Sequence, residues 1–299
     1  MNKPDLVAIM MDYRALEALA AVISCHGFEK AAQKLNISQS AVSQRIKQLE
    51  ARLGAPLILR HTPPKATELG VRLITHLETV QHLETDLDLP LERDKRVHAR
   101  IAINADSLAT WFSEALGRST DELDVDLVIE DQDTGIERMR RGEVLACLCS
   151  DGTPVNGARV DRLGIMRYRA YANPEFLLRF KLLENFSDLY RAPCLIFNQH
   201  DRLQHRFLSQ LEQPEPANPI ICPSSEGFVQ LAASGCGFGM IPQIQAALAV
   251  EVGSLIDIAP NHYVDVPLYW HSWRSSGAAM KRLRTSVIKT AHRWLLQDQ

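Results

Sequence analysis

The chain has 299 residues, 46% hydrophobic and 23% charged, with a formal net charge of −3. That balance fits a globular protein large enough for more than one domain and excludes a disordered, collagen-like or disulfide-scaffold chain. Six cysteines at positions 25, 147, 149, 194, 222 and 236 form no CxxC pair, and no apolar run nears the ~18–20 residues of a membrane helix. No metal or cofactor is therefore expected, and a cytoplasmic location is. Residues 1–10 carry a patch too brief for a secretory signal and read as detached from the fold, which makes Met10 or Met11 a candidate start.

A first helix is predicted from Tyr13 to Cys25, with Leu16, Leu19, Ala20 and Ile23 inward and Gly27 turning the chain. Residues 28–54, FEKAAQKLNISQSAVSQRIKQLEARLG, read as two short helices around a tight turn. In the first, Phe28, Ala31, Ala32 and Leu35 fall at i, i+3, i+4 and i+7, and the alanine pair lets another helix cross closely. Asn36-Ile37-Ser38 breaks the pattern, and Ser38 is a good N-cap for the second. There Val42, Ile46, Leu49 and Leu53 make a dry back, while Gln39, Ser40, Ser43, Gln44 and Lys47 share the opposite face. Those side chains suit base edges and phosphates, as in a helix-turn-helix seated in a DNA major groove. The bland alternative is an αα-hairpin with a solvated face. Charge decides against it: residues 28–65 hold seven Lys/Arg and two Glu, +5, inside an acidic chain.

Pro56 to Lys65 reads as a short strand and turn, a wing whose Arg60 and Lys65 would meet phosphates. Thr67 caps a long helix with Leu69, Leu73, Leu77, Val80, Leu83 and Leu87 at spacings of three and four, a stripe with coiled-coil character interrupted by His76. Packing on its own domain can bury that stripe, but pairing with a second copy is the expected use. Pro90 ends the helix, and a charged hinge follows. The domain reading is therefore 11–67 for DNA binding, 68–96 for linker and dimerisation, and 97–299 for the rest.

From Ala99 strands and helices alternate. ARIAINA, VDLVIE and LACLCS are predicted strands, with helices at 107–118 and 134–142, a run that implies a parallel sheet. A second cycle follows with RYRAYA, PCLIFN, a polar helix after Asp201, PIIC, a helix after Ser224, and GFGMIP. LIDIA, PLYWHSW and a basic helix from Ala278 to Leu296 close the chain. In such sheets ligands lie beyond the carboxyl ends of strands, against helix starts. Asn104, Asp106 and Ser107, then Glu130 and Asp131, then Ser224 and Ser225 occupy those places. Their N–H groups and hydroxyls could hold a carboxylate, and Asp106 or Asp131 a cationic group. Each also reads as an ordinary cap residue. No nucleophile elbow, metal cluster or nucleotide loop is present; GCGFG follows a helix and precedes a strand, the reverse of a nucleotide fingerprint. No catalytic residue is assigned. Cys147 and Cys149 read as small core hydrophobes with no cation nearby to lower a thiol pKa.

The stretch AAQKLNISQSAVSQRIKQLEARLGAPLILR followed by TPPKATELG resembles the DNA-binding domain of the LysR-type transcriptional regulators. IAINADSLATWF, MRRGEVLAC, SSEGFVQLA and PLYWHSWR are similar to its ArgP/LysG branch, which regulates export of basic amino acids. The resemblance implies an α/β protein: a winged helix-turn-helix with a linker helix, then a periplasmic-binding-protein-like effector domain of two α/β halves. It also implies double-stranded DNA as partner, lysine or arginine as effector, a homodimer or tetramer, contact with RNA polymerase, and activation of an exporter gene. Less specific binding that inhibits chromosome initiation is the alternative. One departure stands out, since Gln44 occupies a position where many members carry Arg.

Overall fold

The computed structural model describes residues 11–59, 61–85, 96–130, 135–183, 185–274 and 276–297. The chain divides into two units, with the break near residue 91.

In the first unit, the Asp12 carboxylate accepts from Ala15 N at 3.2 Å and opens α1 (Tyr13–Ser24), which buries Leu16, Leu19 and Val22 completely. α2 (Phe28–Lys34) presents Ala31 and Ala32 to the core, and α1 and α3 pack closely on it. Asn36 turns the chain at φ +52°, a left-handed conformation that Asn tolerates better than most residues. Ser38 Oγ then accepts from Ala41 N and starts α3 (Gln39–Leu53), which Gly54 ends at φ +68°. Val42, Ile46 and Leu49 are buried, each stabilising the unit by roughly 1.5–3 kcal/mol.

The wing is a short antiparallel pair, β1 (Ile58–Leu59) and β2 (Lys65–Ala66). Thr67 Oγ1 donates to Pro56 O and accepts from Gly70 N, which caps α4 (Glu68–Thr85) as predicted. Leu73 and Leu77 of α4 are buried with Leu16, Leu19 and Val42. The first half of the stripe, through Leu77, thus packs on its own unit. Leu87 and Pro90 lie outside the described residues. Gly70 is required where α4 passes the wing, because a Cβ there would stand 2.3 Å from the Leu57 carbonyl oxygen. Gly70→Ala is expected to lower stability by at least about 1 kcal/mol in urea unfolding, the backbone clash outweighing the helix-propensity gain.

The second unit is built on β3 (Val97–Ile103), β4 (Leu123–Ile129), β5 (Ala146–Cys149), β6 (Ala158–Ala172), β7 (Pro193–Ile196), β8 (Asn218–Ile221), β9 (Gly239–Pro242), β10 (Ile256–Asp257) and β11 (Tyr263–Trp273). β3 runs parallel to β4 and β5, and β11 joins β5 to β6 in the order β10-β6-β11-β5-β3-β4. β9 lies on the other edge of β6. The parallel pair β7 and β8 meets the approach to β9 through Leu195 N to Phe238 O, 2.8 Å, and Phe238 N to Pro193 O, 3.1 Å. Two α/β halves are therefore joined by the crossing strands β6 and β11.

The crossing strands are longer than predicted. β6 starts at Ala158 rather than Arg167, and β11 at Tyr263 rather than Pro267. Their extra length carries Arg159, Asp161 and Asp265 and is broken by Gly164, so no apolar alternation marks it; pairing with each other holds it. The helical run at 105–116 opens to a π-turn at Leu108–Phe112. Helices Pro174–Arg179 and Gln243–Glu251 were not foreseen. The basic helix Ala278–Trp294 buries Met280, Leu283, Val287 and Ala291, and its Arg282, Arg284 and Arg293 pair with Glu122, Asp161 and Glu114. Among the described residues no helix is long and apolar enough to cross a membrane, and no cluster could hold a metal ion.

Candidate functional sites

Helix α3 turns its dry back inward, and Gln39, Ser40, Gln44 and Lys47 are exposed opposite, with Ser43 half-buried. Ser40 Oγ lies 2.9 Å from Ser38 Oγ, so its hydroxyl is tied to the cap and keeps part of its bonding capacity for a partner. Lys65 is exposed on the wing, paired in register with Leu59. Arg60 lies outside the described residues. Glu50 was not singled out from sequence: its Oε1 accepts from Leu57 N at 2.7 Å and Ile58 N at 3.3 Å. That carboxylate locks the wing to α3, and the only hint of it is an acid on the half-buried side of an otherwise basic helix.

In the second unit a cleft of about 650 Å³, part of it open solvent, lies beyond the carboxyl ends of β3, β4, β7 and β9. Asn104, Asp106 and Ser225 line it. Ser107 and Ser224 do not: Ser107 is fully buried, and Ser224 is exposed with its Oγ accepting from Gly227 N as the cap of Ser225–Ala233. Asp131 lies outside the described residues, whereas its neighbour Glu130 lines the cleft and is paired with Arg138. The sequence reading missed Asp201, Arg202, His200 and Gln245.

Both Asp106 oxygens are held. Tyr168 Oη donates to Oδ2 and Ser225 Oγ to Oδ1, each at 2.7 Å. Burial nonetheless raises the Asp106 pKa, against those two hydrogen bonds and with the like charges of Asp201 and Glu226 adding to it. Asp201 accepts from Phe197 N and Leu203 N, both at 2.9 Å. The start of the 105–116 run is open: Asn104 makes no side-chain cap bond, is 4% exposed, and its Oδ1 meets no partner. The cleft thus sets an uncapped helical start beside Asn104 against the carboxyl groups of Asp106, Glu130 and Asp201, with Arg202 and His200 also on its lining.

Cys147 and Cys149 are fully buried, as expected of core residues. Their chemistry differs from the sequence reading. Cys149 is pulled down to about 6 by a hydrogen bond from Cys147 and by His271, and Cys147 is pushed up in return.

Residues 13–73 match the family model of the bacterial regulatory helix-turn-helix proteins of the LysR family, and residues 93–291 that of the LysR substrate binding domain. The chain belongs to the LysR family. Within that family it is of the ArgP type. It is 48% identical over 294 residues to the HTH-type transcriptional regulator ArgP of Pseudomonas fluorescens, covering 96% of this chain and 98% of that one. It is similar to the crystal structure of ArgP from Mycobacterium tuberculosis, with a TM-score of 0.79, 34% identity, and coverage of 97% and 100%. It is also similar to full-length LysG from Corynebacterium glutamicum with bound effector Arg, with a TM-score of 0.70, 33% identity, and coverage of 96% and 100%. The chain is therefore a transcriptional regulator and not an enzyme, with a DNA-binding helix-turn-helix and an effector-binding α/β domain.

Proposed function

We propose that the effector is arginine or lysine, bound in the cleft beside Asp106, and that it sets affinity for the promoter of an exporter of basic amino acids. Its α-carboxylate meets the N–H groups at the open start of the 105–116 run, next to Asn104. Its cationic end meets Asp106 and Asp201. The observation that carries this reading is the charge of the cleft: Asp106, Glu130 and Asp201 line it against one arginine, Arg202, and among the described residues Glu130 pairs with Arg138 while Asp106 and Asp201 have no ion-pair partner. The bound Arg of LysG agrees with it. On the DNA side, Gln39, Ser40, Ser43 and Gln44 read bases, while Lys47, Arg60 and Lys65 hold phosphates. Two copies act together through α4.

Calorimetry on the full chain tests the effector. Arginine and lysine should give heat, and citrulline, arginine's neutral analogue, should bind about 10–100-fold more weakly because it leaves the half-buried carboxylates of the cleft without a cationic partner. Equal binding of citrulline would remove charge as the criterion. Operator DNA should be preferred over random DNA by at least ~10³ at physiological salt, as a sequence-specific regulator requires.

A further inference from the structure

One carboxylate ties the two halves together. Asp106 stands on the first half's helical run, Ser225 opens a helix of the second half, and Tyr168 lies on the part of β6 that pairs with β9. The bonds have a fixed direction. Gln245 Nε2 lies 3.2 Å from the Ser225 carbonyl oxygen, which only accepts, so the amide nitrogen faces Ser225. The same nitrogen donates to Ser225 Oγ at 2.9 Å, and of the two acceptors the hydroxyl proton can reach, Asp106 Oδ1 at 2.7 Å and Gln245 Oε1 at 3.2 Å, the shorter contact to the carboxylate is the stronger. This donor chain calls for an ionised Asp106, because short O–H bonds to a carboxylate are the strong ones.

The surroundings penalise that ionised form. Burial, Asp201 and Glu226 all work against the charge. The other charged groups of the cleft do not relieve it: Glu130 is itself an acid, Arg202 reaches toward Glu215, 3.9 Å away, and His200 is exposed. Geometry and electrostatics therefore conflict at one residue, and a cation in the cleft would reconcile them.

Resting on the effector reading above, we propose that Asp106 is a closure latch conditional on a cationic ligand. Closing the halves places Asp106 against Ser225 and Tyr168, and the effector's positive charge offsets the burial of its carboxylate. A neutral amino acid fills the same space but leaves the penalty, so it does not shift the population toward the closed arrangement. Selection by charge is then a property of closure as well as of contact. Gln245 acts as a positioning residue that aims the Ser225 proton.

The test uses full-length protein, with arginine as the probe, operator affinity as output and small-angle scattering to follow closure. Asp106→Asn keeps the shape of the site without its charge, so its operator affinity without arginine should match that of the arginine-saturated wild type, with less than a twofold further change on adding arginine. Ser225→Ala and Tyr168→Phe keep the charge and lose the tether. Each should still bind arginine, within about tenfold, while the arginine-induced change in operator affinity falls to less than a third. Ser225→Thr, which keeps the hydroxyl, should restore it. If Ser225→Ala and Tyr168→Phe transmit the arginine signal as the wild type does, the latch is refuted and the cation reading stands. If wild-type protein gives no heat with arginine or lysine, the cation reading fails and the latch with it.

Discussion

Gln44→Ala should change which DNA sequences the protein selects, whereas Lys65→Ala should weaken binding to all of them alike. Gln44 is exposed in the first half of α3, on the face opposite Val42, Ile46 and Leu49, where a helix in the major groove reaches base edges. A glutamine amide pairs two-pronged with adenine, so its removal should cost about 1–3 kcal/mol at one or two base positions and leave the others unchanged. Lys65 sits on the wing, where an ammonium meets phosphate without sequence information. Its removal should lower affinity uniformly and flatten the slope of log K against log salt by about one unit. Site selection from a random pool, with salt titrations on the best site, separates the two. Identical shifts in selected sequence for both variants would overturn the division of labour.

The DNA-binding surface was legible in sequence because everything it needs is local. Ser38, Val42, Ile46 and Gly54 fix the helix, its buried face and its end within one stretch, and exposure of Gln39, Gln44 and Lys47 follows from period alone. The cleft was legible only in outline. Strand ends and helix starts marked Asn104, Asp106 and Ser225, but the same rule marked Ser107 and Ser224, one fully buried and one turned to its own helix. Whether a residue at a helix start faces the cleft depends on how that helix is rolled, and packing against distant strands sets the roll. The partners of Asp106 make the point: Tyr168 and Ser225 lie 62 and 119 residues away in sequence. Asp201 and Gln245 carry no motif at all, and only the crossing of β6 and β11 brings their elements to one place.

Two substitutions on α4 should separate folding from pairing, with opposite signatures. Leu73 is 6% exposed and packs with Leu16 and Leu77 in the core of the first unit. Leu73→Glu would bury an unpaired charge there, a change that costs upward of about 4 kcal/mol, and the unit should unfold. Leu83 stands on the same apolar stripe but is 41% exposed, past the last α4 residue in that core. A leucine left at the surface by its own unit, following half-buried Val80, is placed to meet the same stripe on a second copy. Leu83→Glu should therefore leave circular dichroism and melting near wild type while sedimentation shows monomers. One α3 helix reads one half-site, so losing the pair removes the effective concentration that the second site supplies. Operator affinity should fall by about 10²–10⁴, and the loss should be far smaller on DNA carrying a single half-site. A wild-type chain that sediments as a monomer at micromolar concentration would refute pairing through α4, as would a Leu83→Glu variant that remains dimeric.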